Sequence, residues 1–120
     1  MTLKIAVIGA GSEEFGPASV HDIFLSNLLN KKDLEVCLMD INEKSLPAIH
    51  QYAVDVAKKL DRSPKISSTA KLDEALEGAN YVITAIEIKR YHYWAQDFHI
   101  PRKYGFNQVY GENGGVGGLF

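Results

Sequence analysis

Gly9-Ala10-Gly11-Ser12 ends an apolar run at residues 3–9, and Asp40 ends a second run at residues 34–39. Positions without side chains let backbone N–H groups come close to an anion, and a helix opening behind them adds positive potential. A carboxylate at the end of the next strand can accept hydrogen bonds from a vicinal diol. Pyrophosphate cradle and ribose anchor are the two demands of a dinucleotide. Gly9, Gly11 and Ser12 are therefore the candidate pyrophosphate residues, and Asp40 is the candidate ribose ligand. The charge of Asp40 favours NAD over NADP, whose 2′-phosphate it would repel.

Two features depart from the usual fingerprint. Its third glycine, which normally permits close helix–strand packing, is Glu14 here. Gly16-Pro17 follows, and proline is well tolerated at a first helical position, so a longer turn with a helix starting at Pro17 is expected. Asp40 also lies further along than the usual spacing of about 20 residues. A helix through Asn30 and a turn at Lys31-Lys32-Asp33 absorb the difference. Glu13 and Glu14 are poor neighbours for phosphate and are expected to face solvent or to reach the nicotinamide side.

Other reactive side chains form no recognisable constellation. His21, His50, His92 and His99 show no metal-ligand spacing, and Cys37 lies mid-strand as a small buried hydrophobe. Glu87 falls just past the fourth strand, where ligands gather in this architecture. Residues 110–118 are rich in glycine and enclose Glu112 and Asn113, an acid and an amide on a backbone able to approach a substrate.

The elements that must position these groups alternate. Apolar spacing predicts strands at 3–9, 34–39, 65–69 and 80–86, and helices at 19–29, 46–60 and 72–78. Pro47 must sit in the first turn of the second helix, and Arg62-Ser63-Pro64 ends it. This β-α-β-α-β-α-β order predicts an α/β fold: a Rossmann-type, doubly wound parallel sheet with crossover helices. One domain is expected over residues 1–120, with 106–120 as a substrate-side loop. Residues 89–104 are aromatic and amphipathic, with Ile100-Pro101 expected to break or bend the helix; such a face belongs to a core or a subunit interface.

Composition narrows the classes. A length of 120 residues with 46% hydrophobic content supports one domain with a real core. The net charge of −2, without a basic stripe, argues against nucleic acid and anionic membrane surfaces. No apolar stretch approaches the roughly 20 residues of a membrane span, and no signal sequence precedes the first strand, so a cytoplasmic protein is expected.

Ile8-Gly9-Ala10-Gly11-Ser12, Leu38-Met39-Asp40-Ile41-Asn42, Asp97-Phe98-His99-Ile100-Pro101-Arg102-Lys103-Tyr104-Gly105 and the glycine-rich Glu112 loop together resemble the N-terminal part of family 4 glycoside hydrolases. The resemblance covers nearly the whole chain. It implies a dehydrogenase fold used to break glycosidic bonds, an exception to the usual two-carboxylate scheme. It further implies NAD, a divalent metal, usually manganese, and a small glycoside as substrate. Hydride would leave sugar C3 for NAD, a base would take the acidified C2 proton, the aglycone would leave C1, and water and hydride would then return. The metal would polarise the C3 oxygen. In the family, the metal-binding cysteine and histidine and the catalytic acid and base lie beyond the position where this chain ends, so no catalytic or metal residue is expected within it. Carried over, Gly9, Gly11 and Ser12 match the pyrophosphate loop, Asp40 the adenosine ribose ligand, and Glu112 with Asn113 the substrate-side loop.

Members acting on 6-phosphorylated sugars carry an arginine after strand four and another before the Asp-x-x-Ile-Pro motif. Glu87 and Trp94 stand at those positions here, which points to a non-phosphorylated glycoside. The resemblance also implies a homo-oligomer as the full-length protein. On the residues alone, two other readings stand beside it: the nucleotide domain of a 2-hydroxy acid dehydrogenase, and a stand-alone NAD-sensing module.

Overall fold

The computed structural model describes residues 2–107. Four parallel strands form one sheet in the order β3-β2-β1-β4, with β1 at Thr2–Ile8, β2 at Asp33–Met39, β3 at Lys65–Thr69 and β4 at Tyr81–Thr84. Helices α1 (Phe15–Leu25), α2 (Leu46–Lys59) and α3 (Leu72–Leu76) connect them, as the alternation predicts. The strand order places the carboxyl ends of β1 and β2 side by side, with Ile8 paired to Met39. The glycine turn and Asp40 therefore meet at the carboxyl ends of the two central strands.

Strand alternation sorts the core onto two faces. Ile5 and Val7 of β1 join Leu34, Val36 and Leu38 of β2 against Val20, Ile23 and Phe24 of α1 and Ile49, Ala53 and Ala57 of α2. Ala6, Ile8, Cys37 and Met39 point to the other face, where α3 contributes Ala75. Cys37 is thus a buried core residue, as expected.

Several boundaries differ from the expected ones. Helix α1 starts at Phe15 rather than Pro17, because the N–H groups of the first turn have no partner within a helix, and a proline third in line loses nothing. It ends at Leu25 instead of running through Asn30. The Asn30 side-chain amide donates to the Phe24 and Ser26 carbonyl oxygens at 2.7 and 2.6 Å, which gives the helix end its hydrogen-bond partners, and a single 3-10 turn follows at Leu29–Lys31. Strand β4 and helix α3 are each shorter than their apolar spans, and Gly78, at φ +68, turns the chain between them.

The chain divides into two compact units, Met1–Ile86 and Glu87–Phe120. In the second, helix α4 spans Arg90–Lys103 and runs through Pro101 instead of breaking there. Proline lies in its last turn, where the one bond it removes is the main loss, and Gly105 at φ +84 follows. Pro101 is the one buried residue of α4.

Candidate dinucleotide site

Each glycine of the turn after β1 is required by a different neighbour. Gly9 has φ +83, and a side chain there would collide with the Ala85 carbonyl at the end of β4. Gly9 and Ala10 both donate their N–H groups to the Met39 carbonyl, at 2.8 and 2.9 Å, which ties the turn to the end of β2. Gly11 has no left-handed φ, yet a Cβ would collide with the Ser45 side chain and lie 2.8 Å from Asp40 Oδ2. Gly16 is buried in α1, and a Cβ there would collide with the Ala10 carbonyl oxygen.

Gly16 therefore does what the third fingerprint glycine usually does: it lets the helix pack closely behind the turn. The sequence shows it two residues past Glu14, where it reads as part of a longer turn, so its packing role was missed. Ser12 holds the helix start, its hydroxyl accepting a long 3.4 Å bond from Phe15 N–H and its carbonyl accepting 3.2 Å from Gly16 N–H. Glu13 and Glu14 are exposed, as expected.

Asp40 is held from both sides. Its Oδ2 accepts from Gly11 N–H and its Oδ1 from Asn42 N–H, both at 2.8 Å. Each carboxylate oxygen can accept again, so the group is oriented by backbone donors while two lone-pair positions remain for a pair of hydroxyls. The tight turn that these glycines permit, leading into α1 beside a fixed acid, suits a pyrophosphate joined to a ribose.

The remaining candidates fall elsewhere. Glu112 and Asn113 lie outside the described residues. In the second unit, Glu87 forms a 3.2 Å ion pair with Arg90 Nε, and the Arg90 guanidinium stands 5.8 Å over the Trp94 ring. His50 Nδ1 pairs with Ser68 Oγ at 2.7 Å, and His92 with Gln96 at 3.0 Å. Among the described residues, no group of three or more His, Cys, Asp or Glu side chains could hold a metal ion. No described helix is long and apolar enough to cross a membrane.

Residues 4–120 match the model of the family 4 glycosyl hydrolases. The chain belongs to that family. It is 44% identical over 121 residues to an alpha-glucosidase of Erwinia rhapontici, covering all of this chain and 26% of that protein. It is 35% identical to an alpha-galactosidase of Bacillus subtilis, over 98% of this chain and 27% of the relative. Among solved structures, a 6-phospho-beta glucosidase of Thermotoga maritima, with manganese, NAD+ and glucose-6-phosphate, superposes with a TM-score of 0.72 at 28% identity. That match covers 98% of this chain and 27% of that one. The chain thus spans about a quarter of the length of the family 4 relatives it matches. Family membership sets aside the 2-hydroxy acid dehydrogenase reading, and the parallel sheet is the Rossmann-like fold of the family's N-terminal region.

Proposed function

We propose that this chain is the NAD-binding N-terminal part of a family 4 glycosidase that opens O-glycosidic bonds by transient oxidation at sugar C3 followed by elimination. The observation that carries the cofactor assignment is the Asp40 carboxylate, fixed by Gly11 and Asn42 N–H groups beside a turn with no side chain at Gly9 or Gly11. NAD, when bound, supplies a reversible hydride acceptor. The chain's own residues orient it: Gly9, Gly11 and Ser12 face the pyrophosphate, and Asp40 takes the adenosine ribose hydroxyls. The charge of Asp40 disfavours a 2′-phosphate at the same place. The manganese of the Thermotoga maritima structure supports a divalent metal for the whole protein. The described residues offer no donor set for it, so no metal-dependent step is assigned to them.

The substrate is a non-phosphorylated glycoside. Glu87 and Trp94 stand where the phosphate-binding arginines of the phospho-sugar members are expected, and the nearby Arg90 is already paired with Glu87. An arginine engaged by a carboxylate is a weaker anion site than two uncommitted guanidinium groups. The alpha-glucosidase relative supports this reading, whereas the glucose-6-phosphate in the Thermotoga maritima structure supports a phosphorylated sugar. Glu112 and Asn113 are proposed to line the substrate side, in a full-length protein that is cytoplasmic and a homo-oligomer. With NAD and Mn2+ supplied, the full-length protein is expected to release nitrophenol from nitrophenyl α-glucoside much faster than from its 6-phosphate, without net accumulation of NADH. Preference for the 6-phosphate would overturn the substrate assignment, and steady NADH production would overturn the mechanism.

A further inference from the structure

We propose that Ser45 is a positioning residue for the dinucleotide. Its side chain fills the space that a Gly11 side chain would need, and it thereby fixes the Asp40 carboxylate between two turns. The inference rests on the reading of Asp40 as the ribose ligand. Gly11 has an ordinary φ, so backbone freedom does not explain a glycine there. What demands it is the crossing of the turn after β2, which brings Ser45 Oγ and Cβ into the place of the missing Cβ, together with Asp40 Oδ2. Ser45 is itself held, its Oγ–H and its N–H both donating to the Asn42 carbonyl at 2.7 and 3.0 Å. Asn42 N–H in turn holds Asp40 Oδ1, and Gly11 N–H holds Oδ2. The wedge therefore sets the distance between the two donors that aim one carboxylate. Removing it frees the turn to shift, and the carboxylate loses its fixed aim at a cis-diol while the phosphate turn stays intact.

The ligand class that reads this is a nucleoside diphosphate with a free 2′,3′-diol, so the probes are ADP and 2′-deoxy-ADP, titrated calorimetrically. The wild-type protein is expected to prefer ADP by on the order of tenfold, the scale of a hydrogen bond to a charged group. Ser45→Gly, and to a smaller extent Ser45→Ala, should bring that ratio toward one by weakening ADP more than 2′-deoxy-ADP, which keeps only the 3′-hydroxyl, a pattern that general destabilisation would not produce. Gly11→Ala should weaken both nucleotides, and adding Ser45→Gly to it should recover part of the 2′-deoxy-ADP binding, the 2.8 Å approach to Asp40 Oδ2 remaining. Thermal melts of each variant confirm the folded state. A wild-type ratio retained in both Ser45 variants, or a double variant no better than Gly11→Ala, would overturn the proposal while leaving Asp40 as ribose ligand. A wild-type protein with no preference would overturn the Asp40 reading and this inference together.

Discussion

Four residues carry most of the site's geometry, and none does so through an unusual side chain. Gly9, Gly11 and Gly16 act by what they lack, each leaving room for a different neighbour: the Ala85 carbonyl, the Ser45 side chain and the Ala10 carbonyl. Gly16→Ala tests the shifted third glycine. The collision is with backbone, which cannot swing aside as a long side chain can, so a loss of about 1–3 kcal/mol in unfolding free energy is expected in denaturant titration. An unchanged midpoint would show that the helix does not need the close approach. Asp40 completes the set. The pairing of a glycine turn with a strand-end acid was legible from the sequence because both lie at the ends of apolar runs. The partners of Gly11 and Gly16 were not, because steric exclusion leaves no periodic pattern, whether the neighbour is distant in the chain, as Ser45 is from Gly11, or close, as Ala10 is to Gly16.

Short polar side chains set where the elements stop. Asn30 satisfies two carbonyls at the end of α1, so Asn30→Ala should cost about 1 kcal/mol and lower the melting temperature. An unaltered melt would mean that water replaces the amide fully. Apolar periodicity foretold α1, α2 and the four strands but overran the end of α1, since a side chain reaching back four to six residues is invisible to periodicity. Pro17 and Pro101 misled for different reasons: at Pro17 the missing N–H has no helical partner to lose, and at Pro101 a single bond is lost in the last turn and the helix runs on. The link from β3 to α3 carries an electrostatic prediction. Folding holds the Glu74 carboxyl below its ordinary value, chiefly through the Lys71 hydrogen bond, with the Thr69 hydroxyl and the Lys71 charge adding to it. A lowered native value means the contribution is complete above the ordinary carboxylate range and fades as pH falls through the folded value. Glu74→Gln should therefore flatten the acid limb of the stability curve and leave neutral pH dependence unchanged; an identical acid slope in both proteins would contradict this.

At the scale of the whole molecule, the adenosine end of the site lies within one compact unit. The glycine turn, Asp40, Ser45 and the Ala85 carbonyl all belong to the unit Met1–Ile86, which also holds both core clusters. A chain ending at Ile86 should keep a single cooperative unfolding transition; loss of cooperativity would show that the first unit depends on the second. The fold class was readable at this scale because β-α alternation leaves few topologies. The packing of α4 was not, because aromatic spacing alone does not separate a core face from a subunit interface; among the described residues the helix buries only Pro101. The central claim is that the chain seats NAD through the glycine turn and Asp40, and calorimetric titration of NAD into the wild-type protein and Asp40→Ala tests it most directly. Saturable one-to-one binding by the wild type, weakened on the order of tenfold or more in Asp40→Ala, is the expected result. Equal NAD affinity in the two proteins, or no binding by the wild type, would contradict it.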